Sequence, residues 1–396
     1  DRVLCLSSQS MRNLTAQQVS QPGSALRAAA LALSLAALAL SLGGCGSSKP
    51  QPAPLERFQP VSRLAVTWSQ RVAEAGVPTS LAVATNTVTV SGVGGEVAQF
   101  ALDSGKPIWR ADLRESLSAG AGSDGRFAAV VTAQNDLVVL DRGAPVWRER
   151  QPGRVITAPL VAGERVFVQG VDRAVRAYDV RDGRWLWQYQ RPGGEPLALS
   201  SQSVLTPFRD TLLVGQGARL VGLDPLRGTV RFDASVGTPR GTNEVERLAD
   251  LVGPAARADD EVCVRAFQFA VACFELNRGS LRWSRPQSGT QAVAASDAVV
   301  VGADSTDRLT AWKAENGDLL WRVDRFTHRG LSAPVVWGDK LAVVDQEGYL
   351  HLLALADGRN LARFELDSAL AAAPVVVDQQ LLVLTRKGTL SMLRAN

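Results

Sequence analysis

Residues 101–110 read Ala101-Leu102-Asp103-Ser104-Gly105-Lys106-Pro107-Ile108-Trp109-Arg110: an apolar pair, a polar turn closing on glycine, and a tryptophan four residues after that glycine. The phrase returns six times. Its glycines are Gly105, Gly143, Gly183, Gly228, Gly279, Gly317 and Gly358, at intervals of 38, 40, 45, 51, 38 and 41 residues. Four residues on stand Trp109, Trp147, Trp187, Phe232, Trp283 and Trp321, with Ala362 the one exception. A period of about 40 residues marks a supersecondary unit that buries its apolar face only by stacking on its neighbours. Between the phrases lie short Val-rich runs, such as Arg165-Val166-Phe167-Val168 and Ala174-Val175-Arg176-Ala177-Tyr178, separated by Gly, Asp or Asn. They predict strands joined by tight turns. Four short strands per unit, with no amphipathic helix between them, make a β-propeller blade. The aromatic fills the wedge between blades, and the glycine supplies the positive φ of the turn.

The ends of the chain set the blade count. Seven complete units run up to Gly358, and three more strands follow, around 373–377, 380–384 and 389–393. The missing fourth strand is Arg63-Leu64-Ala65-Val66-Thr67-Trp68, whose Trp68 precedes Trp109 by one period. The expected fold is therefore all-β: an eight-bladed propeller of four-stranded antiparallel blades over residues 61–396. N- and C-terminal strands close the ring in one blade, leaving it no open end.

The first methionine is Met11, and residues 1–10 are set aside as upstream of the export signal. After Arg12 and Arg27 comes a fifteen-residue apolar run, Ala28 to Leu42. A spanning helix takes about 20 apolar residues, so this length with a basic flank fits the core of an export signal over residues 1–44. The run ends in Leu42-Gly43-Gly44-Cys45, which resembles the bacterial lipobox and implies a lipidated Cys45. Gly46 stands where an Asp would favour inner-membrane retention, so the resemblance implies the outer membrane, facing the periplasm. Pro50, Pro52, Pro54 and Pro60 then favour extended chain, and residues 45–60 read as a tether.

Composition narrows the function classes. The 43 basic and 39 acidic residues are dispersed, for a formal charge of +4, which gives no basic stripe for nucleic acid. The two histidines, His328 and His351, cannot build a multi-histidine metal site, and both are expected to be structural. Asp103, Asp141, Asp179 and Asp224 recur at one blade position, as turn chemistry demands and a single metal site does not. The repeats also resemble those of pyrroloquinoline-quinone dehydrogenases. This chain lacks their adjacent cysteine pair and their pocket-building insertions. No cofactor is expected, and a quinone enzyme or a sugar-binding envelope propeller remain alternatives.

Two units are longer than the rest. One carries Arg191-Pro192-Gly193-Gly194-Glu195-Pro196-Leu197-Ala198-Leu199-Ser200, the other the stretch from Arg240 to Val252. Insertions of this kind map to loops on one face, where function concentrates. The second stretch resembles the E-x-x-R-L-x-D loop of the propeller lipoproteins of the outer-membrane β-barrel assembly machinery, the assembly factor B family. Thr327-His328-Arg329, Ala333-Pro334-Val335, Glu347-Gly348-Tyr349-Leu350-His351 and Lys387-Gly388-Thr389-Leu390 agree with it. The resemblance implies a non-enzymatic scaffold whose two loops, L-x-L-R and R-L-x-D-x-D, contact the POTRA domains of the central, membrane-embedded β-barrel assembly subunit. Unfolded outer-membrane clients are a further implied partner. Leu197, Leu199, Arg247 and Asp250 match. Ser200 stands in place of the family's Arg and Val252 in place of its second Asp, so two charged contacts are absent. The plain structural alternative puts Leu197 and Leu199 in a blade core and makes Arg247 and Asp250 a solvated surface pair.

Cys263 and Cys273 lie ten residues apart in two apolar runs. A hairpin centred at Gln268 places them directly opposite on one face, within reach of a cross-strand disulfide in the oxidising periplasm. Two buried free thiols are the other outcome.

Overall fold

The computed structural model describes residues 50–75, 79–192, 198–199, 201–239, 241–243, 245 and 247–396. Their regular structure is 32 strands in eight four-stranded antiparallel sheets. Blades 1 to 7 span residues 82–112, 117–150, 160–189, 205–235, 251–286, 294–323 and 335–365, each with its strands in sequence order. Blade 8 is built from both ends of the ring. Val375–Val377, Gln380–Leu384 and Thr389–Ala395 are followed outward by Leu64–Arg71, which pairs antiparallel with the last strand from Leu64↔Ala395 to Arg71↔Thr389. The closure predicted from the missing strand is the closure observed.

Sheets stack face to face around the ring, so residues on both faces of the inner strands are apolar and buried. Across the closing seam, Trp68, Leu382, Leu390 and Met392 of blade 8 pack with Val88, Val90, Ala98 and Phe100 of blade 1 in one cluster. The recurring phrase explains how neighbours lock. In every blade the pairing of third and fourth strands slips by one residue beside the aromatic position: Ala177 faces Trp187, whereas Tyr178 faces Trp185. This bulge turns the aromatic toward the next blade. There the ring lies on the turn glycine, leaving no room for a side chain: a Cβ on Gly105 would come within 2.5 Å of Trp68, and one on Gly228 within 2.5 Å of Trp187. The same turns need φ of 67° at Gly105 and 71° at Gly228, so glycine is required twice over.

Most of the indoles also donate across the seam. Trp68 Nε1 meets Leu102 O at 2.8 Å, Trp147 meets Val180 O at 2.7 Å, Trp283 meets Ala314 O at 2.6 Å and Trp321 meets Leu355 O at 2.9 Å. Trp109 works through a relay, donating to Gln99 Oε1, whose amide donates to Gly125 O of blade 2. At Ala362 the aromatic is missing, and Trp337 from the inner strand of the same blade supplies the bond, reaching Gln379 O of blade 8 at 2.7 Å.

Blade 5 carries two further staples. Cys263 and Cys273 are register partners and are joined by a disulfide, with Cα atoms 4.1 Å apart. Next to them, Arg265 is fully buried and hydrogen-bonds the carbonyls of Gln287, Ser288, Gln291 and Ala303, which ties blade 5 to blade 6. Burial lowers its pKa to about 10, yet the guanidinium stays charged at neutral pH.

The expected tether is too long at its C-terminal end. From Ala53 onward the chain is held against blade 7: Ala53 N–H donates to Thr327 O, and Val61 and Ser62 N–H donate to Leu361 O. Proline sets this segment extended, but extended chain beside an open edge strand finds partners.

Candidate functional site

Topology assigns two faces to the ring. Connections from the outer strand of one blade to the inner strand of the next emerge on the same face as the hairpins between second and third strands. Both long insertions are such connections, residues 190–204 between blades 3 and 4 and residues 236–250 between blades 4 and 5. They flank a cleft of about 680 Å³ whose floor is the second-to-third-strand hairpins of blades 3 and 4. Leu197, Ser200 and Cys45 lie outside the described residues.

The cleft is lined by guanidinium groups. Arg173, Arg191, Arg219 and Arg247 face it, together with Asp172. Arg191 and Arg219 share the single carboxylate of Asp233, and Arg176 pairs with Asp172. Arg247 is half-buried and has no ion pair among the described residues. The solvated Arg247–Asp250 pair of the plain structural alternative is therefore not formed.

Asp250 turns the other way. Its side chain is only 12% exposed, and Oδ1 meets Arg173 Nη2 at 2.6 Å. Its Oδ2 accepts the backbone N–H of Leu199 at 2.7 Å. Where the resemblance implies a contact to the partner and the plain alternative a solvated surface pair, Asp250 is a buried brace joining both long connections to blade 3. Ala249 and Leu251 on either side are buried in the blade 4–5 core, and the closed ring sets Arg173 and the Leu199 N–H beside the carboxylate between them. Val252 is buried in the inner strand of blade 5, opposite Arg265 in register.

Leu199 is half-buried and borders a small pocket with Ile156, Val171 and Leu251. Further along, the connection is anchored at Gln202 and Ser203. Gln202 spans to blade 1, its amide donating to Thr79 O at 2.9 Å, and Ser203 N–H donates to Thr157 Oγ1. Two residues missed from sequence add apolar surface on this face: Val171 in the blade 3 hairpin, 37% exposed, and Val245 in the second connection, 67% exposed. Alternation could have flagged Val171, which falls in a turn where an apolar residue has no core to enter.

The Thr327–Arg329 and Glu347–His351 motifs converge at blade 7. Arg329 Nε donates to Asp345 Oδ2 at 2.7 Å, and His351 Nε2 lies 3.0 Å from the same oxygen. Asp345 Oδ1 accepts the N–H groups of Glu347 and Tyr349, and Glu347 also pairs with Arg329. Burial alone would raise the Asp345 carboxyl, but bonds from His351, Tyr349 and Arg329 hold it below its ordinary value. Burial pushes the His351 imidazole down, against the opposing pull of Asp345. Among the described residues no group of His, Cys, Asp and Glu is placed to hold a metal ion.

Comparison with known proteins agrees with this architecture. The family model for outer membrane protein assembly factor BamB matches residues 93–323 and 313–396. The assembly factor BamB of Burkholderia pseudomallei is 33% identical over 352 residues, covering 87% of this chain and 92% of the relative. The crystal structure of BamB from Moraxella catarrhalis superposes with a TM-score of 0.75 at 22% identity, over 84% of this chain and all of that one. The quinohemoprotein alcohol dehydrogenase of Comamonas testosteroni shares the fold at a TM-score of 0.61 and 14% identity, covering 83% of this chain and 76% of its own. Sequence identity and coverage thus separate the assembly factors from the quinone enzymes, and the chain belongs to the outer membrane protein assembly factor BamB family.

Proposed function

We propose that this chain is a non-enzymatic scaffold of the outer-membrane β-barrel assembly machinery, lipid-anchored through Cys45 and working on the periplasmic side of the outer membrane. Its docking surface for the POTRA domains of the central subunit is the cleft between the two long connections. The observation that carries the reading is that both insertions lie on one face and are cross-braced there through Asp250. A braced loop presents its contacts without an ordering cost at binding. Leu199, Val171 and Val245, with Leu197 on the same connection, supply apolar anchors. Arg247, which has no acidic partner among the described residues, is available to a carboxylate on the partner, with Arg191 and Arg219 beside it.

The test is co-purification from detergent-solubilised envelopes with partners identified by mass. A POTRA-bearing partner recovered with wild type and lost with Leu197→Ala/Leu199→Ala supports the reading. Recovery of no such partner with wild type overturns it. Mass analysis of the membrane fraction for a diacylglyceryl-modified Cys45 tests the anchor, and an unmodified Cys45 on membrane-held protein overturns that part.

A further inference from the structure

The Thr327-His328-Arg329 and Glu347–His351 motifs have no part in the docking surface, yet the fold gathers them into one buried cluster. Arg329 is 3% exposed, Asp345 is fully buried and His351 is 2% exposed. Two of the guanidinium's three nitrogens are used by Asp345 and Glu347. The remaining one, Nη1, donates to the carbonyl of Ala53 at 2.8 Å, a bond across 276 residues.

That bond is the first of a series. Ala53 N–H donates to Thr327 O at 2.9 Å, so the peptide is held on both sides. Three residues on, the Glu56 carboxylate accepts from the Asn360 amide at 3.2 Å, with Arg325 3.7 Å away. Arg363 donates to Glu56 O at 3.0 Å and lies over the Phe58 ring at 5.2 Å. Val61 and Ser62 then bond to Leu361 O, and Arg63 exchanges bonds with Asn396 before the first strand begins. Residues 53–62 thus run along the outer edge of blade 7, from the Arg329 loop toward the chain terminus.

We propose that Arg329, Asp345, Glu347 and His351 form a clamp for the chain's own N-terminal strap, residues 53–62. By fixing it, the clamp sets Ala53, from which the chain leads back toward Cys45, on the same face as the docking connections. The Arg329 loop joins blades 6 and 7, and Asp345–Glu347 is a second-to-third-strand hairpin, which places both on that face. With Ala53 held, seven residues separate it from Cys45, eight Cα-to-Cα steps with a reach of roughly 28 Å at most. Were the whole segment up to Leu64 free, the reach would be roughly 65 Å and either face could turn to the membrane. Asp345 serves as the fixed point: the two N–H groups on Oδ1 and His351 on Oδ2 orient the carboxylate, which in turn orients Arg329 toward the strap. The membrane part of this inference rests on the lipid anchor proposed above; the clamp does not.

Limited trypsin digestion of the full mature protein tests the clamp at Arg57-Phe58, a bond that a docked strap withholds from the protease. Arg329→Gln, and separately Arg363→Ala on the outer edge, should raise the rate of cleavage at Arg57 at least tenfold. The urea unfolding midpoint shows whether each ring remains folded, and spin labels at Gln59 and Lys387 should give one narrow distance distribution in wild type. Equal cleavage rates in folded variants, or a broad distribution in wild type, overturn the clamp. Orientation is read on vesicles carrying an acceptor lipid, with a donor dye at Gln346→Cys on the docking face or at Asp339→Cys on the opposite face of the same blade. Greater transfer from position 346, reduced by Arg329→Gln, supports the shared face, and equal transfer overturns it. Protein that does not float with vesicles refutes the anchor and leaves the protease result to decide the clamp.

Discussion

The backbone N–H of Leu199 donates to Asp250 Oδ2 at 2.7 Å, a bond between two residues 51 positions apart. With Arg173 on Oδ1, both oxygens of this carboxylate are engaged within the chain. In the proposed docking surface Asp250 therefore acts through Leu199, as a positioning residue.

Removing that brace is expected to weaken partner recovery indirectly. Asp250→Ala removes the carboxylate that meets Arg173 Nη2 and accepts the Leu199 N–H, a loss of charge-assisted hydrogen bonding that costs about 1–3 kcal/mol. It should lower both the unfolding midpoint and the recovery of the POTRA-bearing partner. Asp250→Asn keeps an acceptor for Leu199 N–H and should retain part of the recovery. Arg247→Ala, by contrast, should reduce recovery with an unchanged midpoint. If Asp250→Ala lost the partner at wild-type stability, with digestion of the 190–204 connection unaltered, Asp250 would be a direct contact after all.

Trp337 stands in for the aromatic missing at Ala362. Trp337→Phe removes the bond to Gln379 O and should cost about 1 kcal/mol, whereas Trp337→Ala, which also empties a site in the blade 7–8 core, should cost about 3–5 kcal/mol. Chemical denaturation of both variants checks the order. Equal small losses would mean that the blade 7–8 seam does not depend on this residue.

His351 predicts the acid limb of stability. Its imidazole is held below the ordinary value by burial, with Arg363 and Arg329 nearby also disfavouring its charge, so the folded chain binds this proton less readily than the unfolded chain. Stability is then fully present above the unfolded histidine value, about 6.5, and is lost as pH falls below it through the lower folded value. The urea midpoint should be level between pH 8 and 7 and decline toward pH 5, and His351→Gln should flatten that decline. An identical slope in the variant would assign the acid sensitivity elsewhere.

Trypsin reports the disulfide directly, because Arg265 lies between Cys263 and Cys273. Digestion of the denatured periplasmic protein should release the two flanking peptides as one mass that separates on reduction. A short closed loop of this kind contributes about 2–3 kcal/mol, so Cys263→Ser/Cys273→Ser should unfold at lower denaturant but still close its ring. Two alkylatable thiols in the unreduced protein would contradict the bridge.

What the sequence by itself determined is the periodic part. The glycine-to-tryptophan phrase, its interval, and the strand missing at one end but present at the other are local patterns, and the physics that reads them is local too: alternation, turn chemistry and the need to leave no blade edge unpaired at the closure. The two long insertions were legible for the same reason. Tertiary structure alone decided where individual charges and donors turned. Asp250 became a brace because ring closure set Arg173, 77 residues away, and Leu199 beside it, and an exposed pair with Arg247 would have left that buried N–H without an acceptor. Trp337 replaced Ala362, and Arg329 took hold of Ala53, because stacking brought seams together that no spacing in the chain encodes. Hydrogen-bond partners of buried polar groups are chosen by whatever the closed ring places within about 3 Å, and that is settled only when the last strand pairs with the first.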